Sequence, residues 1–230
     1  MIKAILFDLD MTLVDFMKFK KKASDAAAKA MVKAGLQMDP VEAEKELFSR
    51  YIKDIEGETI FQEFLKDHNA FSEKTFAAAL NAYLITKYKF LKPYSKAKET
   101  LLKLREKGLK LGIVTDAPKL KAYMRLDATG LVDFFDFVVG FEDTNEHKPS
   151  SLPFKRALEI LNVDAADVLM VGDWPERDIK GAKEAGMKTC LARYGYDQHK
   201  QGEFVEADYE IKKIENILRV VEKIKIEDKK

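Results

Sequence analysis

The sequence contains a single cysteine, Cys190, in 230 residues. One cysteine excludes a disulfide within the chain and a thiolate metal cluster, and it is typical of proteins of the reducing cytoplasm. An excess of one charge is also missing, because 40 Lys and Arg residues offset 39 Asp and Glu residues to a net charge of +1. Nucleic-acid-binding proteins normally carry a basic surplus. We therefore expect no nucleic-acid partner.

Long hydrophobic runs are missing as well. No segment reaches the roughly 20 apolar residues that cross a bilayer. The apolar run at residues 2–7 is too short for a signal peptide and is followed by acids. With 47% hydrophobic and 34% charged residues, the composition is that of an ordinary globular protein. We expect a cytoplasmic protein without a membrane partner, either a monomer or a homodimer.

Short apolar runs alternate with amphipathic segments over most of the chain. The runs predict five buried strands, at residues 2–9, 109–115, 137–140, 167–171 and 188–192. Apolar residues at helical spacing predict helices at residues 95–107, 118–129, 151–161, 176–185 and 211–226. Such alternation is typical of a parallel sheet. The fold class predicted is therefore α/β, with a Rossmann-like core built on a parallel five-stranded sheet.

A stretch without any strand pattern interrupts the alternation after the first strand. Four amphipathic helices are predicted there, at residues 23–34, 41–55, 60–65 and 76–90. We therefore predict a helical insertion at residues 16–92 in a core made of residues 1–15 and 93–230. Four lysines near its start, at positions 18, 20, 21 and 22, are interpreted as a solvated helix face.

Polar side chains follow three of the predicted strands directly. The first strand ends at Asp8 and Asp10, the second at Thr115 and Asp116, and the fourth at Gly172 and Asp173. In an open parallel sheet, ligands bind beyond the carboxyl ends of the strands. Convergence of these side chains on one edge is a more specific signal than any of them alone.

Each of these signals also has a purely structural interpretation. Asp8 and Asp10 could be acids in a turn, and Asp173 could be the N-cap of the next helix. In the functional interpretation of Asp8 and Asp10, one carboxylate of the pair attacks while the other moves a proton. Asp173 and Asp178 offer the hard oxygen ligands that suit magnesium. Lys148 supplies a cation in the loop before the fourth strand.

Taken together, these motifs resemble those of the haloacid dehalogenase superfamily of phosphohydrolases, in order and spacing along the whole chain. The matching stretches are residues 7–15, which include Asp8 and Asp10; residues 114–116, which include Thr115; Lys148 with Pro149; and residues 172–187, which include Asp173 and Asp178. The helical insertion resembles the type 1 cap of that superfamily.

The resemblance implies a role for each residue of the first motif. Asp8 would be the nucleophile that forms an aspartyl-phosphate, and Asp10 would be the general acid and base. The cofactor implied is Mg²⁺, held by Asp8, by the backbone carbonyl of Asp10 and by Asp173.

The remaining motif residues would serve the phosphoryl group and the metal site. Thr115 and Lys148 would hold the transferring phosphoryl group, with Asp116 beside them at the substrate. Asp178 would be a neighbouring acid that orients the site. Two residues depart from the family pattern: Met11 stands where Gly or Asp is common, and Asp116 stands where Asn is common.

The function predicted is a magnesium-dependent phosphatase for a small phosphorylated metabolite, such as phosphoglycolate or glyceraldehyde 3-phosphate. A phosphomutase and a phosphonate hydrolase of the same superfamily remain alternatives, although the early cap histidine of such mutases has no counterpart before His68. A 2-haloacid dehalogenase is disfavoured because those relatives lack an acid at the position of Asp10. A catalytically silent binding module is disfavoured because all the motif acids are present.

Overall fold

The chain folds into two compact units. The computed structural model describes residues 1–53, 57, 59–199 and 203–228. Met1–Asp15 and Pro93–Lys230 form one unit, called the sheet unit below, and Phe16–Lys92 form the other, called the helical unit.

The helical unit contains four helices among its described residues. They are α1 (Phe16–Ala34), α2 (Pro40–Lys53), α3 (Ile60–Asp67) and α4 (Glu73–Phe90). Residues 54 and 55 of the predicted second helix lie outside the described residues. On α1 the fully buried Ala23, Ala27 and Met31 recur every fourth residue, and this stripe of mostly small side chains lets α1 pack closely on α4.

One lysine of the predicted solvated run is buried instead. Lys20 is only 8% exposed, whereas the lysines at positions 18, 21 and 22 are exposed. The Lys20 Nζ lies 4.0 Å from the ring centre of Tyr51 and 3.1 Å from the hydroxyl of Tyr83. The prediction was wrong at this position because aromatic faces and a hydroxyl stabilise the ammonium group inside the unit.

The sheet unit is built on one parallel sheet, with the strand order β3-β2-β1-β4-β5-β6. Its strands are β1 (Ala4–Phe7), β2 (Lys110–Val114), β3 (Phe137–Val139), β4 (Val168–Gly172), β5 (Lys188–Ala192) and β6 (Tyr209–Ile211). β1 and β4 are buried at every residue, as expected for parallel strands covered on both faces. β1 pairs with β2 on one side and β4 on the other, which places the first motif near the middle of the sheet.

Helices connect the strands of the sheet unit. They are α5 (Ala97–Glu106), α6 (Lys119–Thr129), α7 (Ser151–Leu161), α8 (Lys180–Glu184), α9 (Arg193–His199) and α10 (Ile217–Glu227). A five-residue π-helix at Pro175–Ile179 precedes α8. None of the described helices in the whole chain has the length and apolar character needed to cross a membrane.

The α/β class and the parallel sheet are confirmed, and the strand count is corrected from five to six within the described part of the chain. The additional strand, β6, has three residues and lies at the sheet edge, paired with β5 alone. Residue 211, predicted as the start of the last helix, ends this strand, and α10 begins at Ile217. Its sequence, Tyr-Glu-Ile, has an acid at the centre and therefore lacks the apolar run that predicts the equally short β3.

The two segments that flank the helical unit are tied to each other within the sheet unit. Val14 and Pro93 form an isolated antiparallel bridge. The amide of Tyr94 also donates to the carbonyl of Leu13, at 2.9 Å. The chain therefore leaves and re-enters the sheet unit at neighbouring points.

Candidate active site

The first motif follows the end of β1 as a tight turn. The amide of Asp8 donates to the carbonyl of Val171 on β4, at 2.9 Å, which keeps Asp8 in register at the carboxyl edge of the sheet. The carbonyl of Leu9 then accepts hydrogen bonds from the amides of Leu13 (2.9 Å) and Val14 (3.1 Å). After Asp8 the chain therefore coils instead of continuing as a strand.

Met11 occupies a strained position in this turn. Its φ of 63° lies in the left-handed region, which costs an L-residue about 1–2 kcal/mol relative to glycine. Its amide donates to the carbonyl of Val14 at 2.8 Å. The departure from the family pattern at Met11 is therefore accommodated by the turn, at an energetic cost.

Lys148 joins three segments of the site. The side chain is buried, with the residue only 4% exposed. Its Nζ donates to Asp8 Oδ1 (2.7 Å), to Asp178 Oδ1 (2.5 Å) and to the carbonyl of Val114 at the end of β2 (3.0 Å). Burial alone lowers the pKa of Lys148, but the carboxylates of Asp178 and Asp8 raise that pKa by more, and it lies above its ordinary value. The lysine is therefore a permanent cation.

The two carboxyl groups beside Lys148 bind protons more readily than ordinary carboxyl groups. Burial raises the pKa of Asp8 well above its usual range, even though Lys148 lowers it. Burial also raises the pKa of Asp178, although Lys148 lowers it. One ammonium group thus does not fully compensate the negative charge gathered here.

The fourth motif is positioned by a close backbone approach. A Cβ on Gly172 would overlap the carboxyl group of Asp178, so only glycine lets β4 pass this close to that side chain. Asp178 Oδ2 in turn accepts a hydrogen bond from the amide of Trp174, at 3.0 Å. The π-helix that starts at Pro175 therefore carries Asp178 back towards the end of the strand that precedes it.

Asp173 is linked to the first motif through Thr12. The Thr12 hydroxyl donates to Asp173 Oδ1 at 3.0 Å, and Asp173 is 3% exposed. The carbonyl of Thr12 accepts a hydrogen bond from the hydroxyl of Tyr194 on α9, at 2.7 Å. A Cβ on the next residue, Gly195, would lie 2.6 Å from the Cβ of Asp173 and would overlap the carbonyl oxygen of Met11. Helix α9 thus packs directly against the turn of the first motif.

The second motif contributes a hydroxyl and a carboxylate. Thr115 is 5% exposed, and its Oγ1 accepts a hydrogen bond from the amide of Ala117 at 3.2 Å. Asp116 Oδ1 accepts from the amide of Lys148 (2.8 Å), and Oδ2 accepts from Arg177 Nη1 (3.1 Å). The acid at position 116 therefore cross-links the loop that carries Lys148 and the π-helix that carries Asp178.

Three buried carboxylates form a set that fits a metal ion. Oxygens of Asp8, Asp173 and Asp178 lie within 4.8 Å of one another. Buried carboxylates at such distances require positive charge nearby, and Lys148 supplies one such charge. Oxygen ligands of this kind suit Mg²⁺. The set shares Asp8 and Asp173 with the predicted ligands and adds Asp178, which was predicted as a neighbour of the metal site.

The structure thus brings Asp8, Asp173, Asp178 and Lys148 together, with Thr115 and Asp116 following the adjacent strand. Sequence reasoning missed three residues that lie against the first and fourth motifs. They are Arg125, which bonds Asp10, and Tyr194 and Gly195 of the unpredicted helix α9. The available signal was Gly195 itself, because a glycine soon after a buried strand can indicate a close backbone approach. Arg125 gave no signal, because arginine at helical spacing usually lies on a solvated face. Fold and site together define an α/β protein with a buried cluster of carboxylates at the carboxyl edge of its sheet.

Comparison with known proteins gives the family. The family model described as "Haloacid dehalogenase-like hydrolase" matches residues 5–192. A glyceraldehyde 3-phosphate phosphatase of Pyrococcus abyssi is 38% identical over 227 residues, covering 96% of this chain and 94% of that protein. A phosphoglycolate phosphatase of Neisseria gonorrhoeae is 33% identical over 200 residues, covering 85% of this chain and 81% of that protein.

A solved structure agrees with this assignment. The crystal structure of a HAD phosphatase from Thermococcus onnurineus matches with a TM-score of 0.71 and 27% identity, covering 96% of this chain and 98% of that one. The chain belongs to the haloacid dehalogenase-like hydrolases and is an enzyme, which confirms the resemblance seen in its motifs.

Gly195 provides a test of the packing of α9 on the first motif. Gly195→Ala should lower the specific activity of the folded enzyme, with 4-nitrophenyl phosphate as substrate, by about 10²-fold, since small displacements of reacting groups have effects of that size. The reason is that the added Cβ must displace Met11 or Asp173. Gly108→Ala is the matched control, because Gly108 has a φ of +78° but an added Cβ there would meet no atom within 4 Å. The control should lose stability and keep its specific activity; equal specific activities of the two variants would contradict the prediction.

Proposed function

We propose that this enzyme is a magnesium-dependent phosphatase that hydrolyses a small phosphorylated metabolite through an aspartyl-phosphate on Asp8. The observation that carries the proposal is the buried contact of Asp8 with Lys148 at the end of the central strand. A carboxylate held beside a permanent cation can approach a phosphoryl group, because the cation offsets the negative charges of both. The names of the relatives, which are phosphatases, support the same reaction class.

The proposed reaction has two steps. An oxygen of Asp8 attacks phosphorus, the bond to the ester oxygen breaks, and Asp10 gives a proton to that leaving oxygen. Water then attacks the phosphorus of the aspartyl-phosphate, Asp10 takes a proton from the water, and Asp8 is released as a carboxylate. Lys148 and the hydroxyl of Thr115 would hold the phosphoryl oxygens in both steps.

The metal site in this proposal consists of Asp8, the backbone carbonyl of Asp10 and Asp173, with Asp178 beside them. When bound, Mg²⁺ would supply positive charge that stabilises the phosphoryl oxygens in the transition state. The burial that raises the pKa of Asp8 supports this assignment, since a second cation would keep Asp8 ionised and able to attack.

Removal of the metal tests the first part of the proposal. Activity with 4-nitrophenyl phosphate should vanish in a chelator and return when Mg²⁺ is added. Asp173→Ala should raise the Mg²⁺ concentration that gives half-maximal activity by at least about 10-fold, since even the partners of metal ligands contribute that much. Asp127→Ala, at an exposed position on α6, is the control and should behave as the wild type. Full turnover in the chelator would refute the magnesium-dependent mechanism.

Substitution of Asp8 and substitution of Asp10 should have different effects on the reaction. Asp10→Asn should lower kcat/KM for phosphoglycolate by about 10²–10⁴-fold, the usual contribution of a general acid, and lower it far less for 4-nitrophenyl phosphate, whose leaving group needs no proton. Covalent phosphate should accumulate on Asp10→Asn, because hydrolysis of the intermediate still requires the base. Asp8→Asn should show neither turnover nor covalent phosphate, measured by mass spectrometry after a rapid quench.

Stability provides the folding control for this pair. In metal-free buffer Asp8→Asn should unfold at a temperature no lower than the wild type, because it removes a buried carboxylate whose pKa is raised. A raised pKa means that the charged form destabilises the fold above that pKa, so the gain should shrink as the pH falls. An active Asp8→Asn beside an inactive Asp10→Asn would reverse the two roles.

Substrate choice is the finer part of the proposal. We infer that the substrate is a two- or three-carbon phosphate, as the names of the relatives suggest. We also infer that residues 16–92 act as the cap that selects it, because the catalytic candidates all belong to the sheet unit. The acid at position 10 supports hydrolysis over dehalogenation.

A chimera tests both inferences in one assay. Phosphorylated metabolites would be ranked by kcat/KM for release of inorganic phosphate, with the wild type and with a chimera that carries the insertion of the Neisseria phosphoglycolate phosphatase. The ranking should follow the insertion, while turnover of 4-nitrophenyl phosphate should change little. An unchanged ranking would contradict the role of the insertion, and isomerised products without inorganic phosphate would indicate a mutase.

The setting of the enzyme is also part of the proposal. We infer a cytoplasmic location, in agreement with the single cysteine, which is buried. A monomer or a homodimer that acts on a free metabolite, without nucleic-acid or membrane partners, fits the balanced charge of the chain.

A further inference from the structure

Helix α6 carries an arginine on its buried face. The buried positions of this helix recur at helical spacing and are Ala122, Arg125, Leu126 and Thr129. Arg125 is 3% exposed, whereas Leu120 on the same helix is 71% exposed. Arginine is rarely buried to this extent unless it is paired, because removing its charge from water is costly. The arginine at this position therefore requires an explanation beyond packing.

One partner of this arginine is the second carboxylate of the first motif. Arg125 Nη1 donates to Asp10 Oδ2, and the two residues are 115 positions apart in the chain. The Asp10 side chain is more accessible than its partner, at 21% against 4%. A planar guanidinium group fixes the plane of a carboxylate as well as its position, which a point charge does less well.

The two carboxylates of the first motif thus contact two different cations. Asp8 contacts Lys148, and Asp10 contacts Arg125. Each carboxylate is drawn towards its own cation, so the acid that attacks and the acid that moves protons are held in separate orientations. When Asp10 is ionised, as in the second step of the proposed reaction, Arg125, Lys148 and a divalent metal ion would also balance the four negative charges of Asp8, Asp10, Asp173 and Asp178.

We propose that Arg125 is a positioning residue that holds the Asp10 carboxyl group in the orientation needed for proton transfer to the leaving oxygen. This inference rests on the proposed function, in which Asp10 is the general acid. Arg125 does not touch the reacting atoms in this proposal and acts through Asp10 alone.

The test compares two substrates of nearly the same shape, phenyl phosphate and 4-nitrophenyl phosphate. The phenolate leaving group needs a proton far more than nitrophenolate does, and kcat/KM covers the steps up to departure of the leaving group. Both substrates are assayed in the same preparation, so the ratio of the two values does not depend on how much of a variant is folded. The variants are Arg125→Met, Arg125→Lys, Asp10→Asn and the double variant of Arg125→Met with Asp10→Asn.

Arg125→Met should lower kcat/KM for phenyl phosphate by about 10-fold or more relative to 4-nitrophenyl phosphate, in the same direction as Asp10→Asn. Arg125→Lys keeps a cation and should recover part of the loss. The double variant should be no worse than Asp10→Asn alone, because two residues that act through one group are not additive. The control Arg105→Met replaces a more exposed arginine, bonded to the carbonyl of Phe134 at 2.8 Å, and should leave the ratio unchanged.

Two results would overturn the inference alone. One is an equal loss on both substrates with Arg125→Met, which would indicate general substrate binding or structural damage. The other is a double variant whose losses multiply, which would show that Arg125 acts independently of Asp10. If Asp10→Asn itself shows no preference between the leaving groups, the assigned role of Asp10 fails, and this inference fails with it.

Discussion

One buried contact set holds the candidate site together: the ammonium group of Lys148 with the carboxylates of Asp8 and Asp178 and the carbonyl of Val114. An ammonium group has three donors, and each of them serves a different segment of the chain. Loss of the lysine would leave two buried carboxylates without compensation, and leaving a buried charge unpaired in this way costs about 3–5 kcal/mol. The relative positions of the first, second and fourth motifs therefore depend on a single side chain.

Glycines complete this arrangement where side chains would prevent it. Gly172 lets β4 approach Asp178, and Gly195 lets α9 approach Asp173 and the turn at Met11. The strain at Met11, with its φ of 63°, lies in the same turn. The protein thus combines an energetically costly turn, buried carboxylates with raised pKa values and close backbone approaches in one region. Such costs are common at functional sites, where geometry is selected over stability.

Much of the fold could be predicted from the sequence because its elements carry long periodic patterns. The predicted bounds of β5 and α7, residues 188–192 and 151–161, are those of the structure, since both patterns are clear and well delimited. Edge strand β6 was missed because Glu210 interrupts its short apolar run, and helix α9 was missed because its residues form no apolar stripe. Their positions are set by tertiary contacts, such as the hydrogen bond of Tyr194 with Thr12.

The residues of the site also fall into two groups, those that the sequence could place and those that it could not. Residues directly after strands, such as Asp8, Thr115 and Asp173, could be placed at one edge because the ends of parallel strands meet there. Partners from elsewhere in the chain could not be found by spacing. Arg125 lies on a helix whose pattern looks ordinary, and its burial follows only from the position of Asp10 across 115 residues.

The bridge of Val14 with Pro93 has a consequence for folding. Closing a flexible loop as long as the 77 residues of Phe16–Lys92 costs on the order of 4 kcal/mol in chain entropy. Helices α1 and α4 begin and end this segment and pack against each other, so a helical unit that forms early brings its own termini together before the sheet closes. When the sheet forms, the two ends of the insertion are then already close together, as they would not be in a long random coil. A segment of very different length or sequence can therefore occupy the same insertion point at little entropic cost.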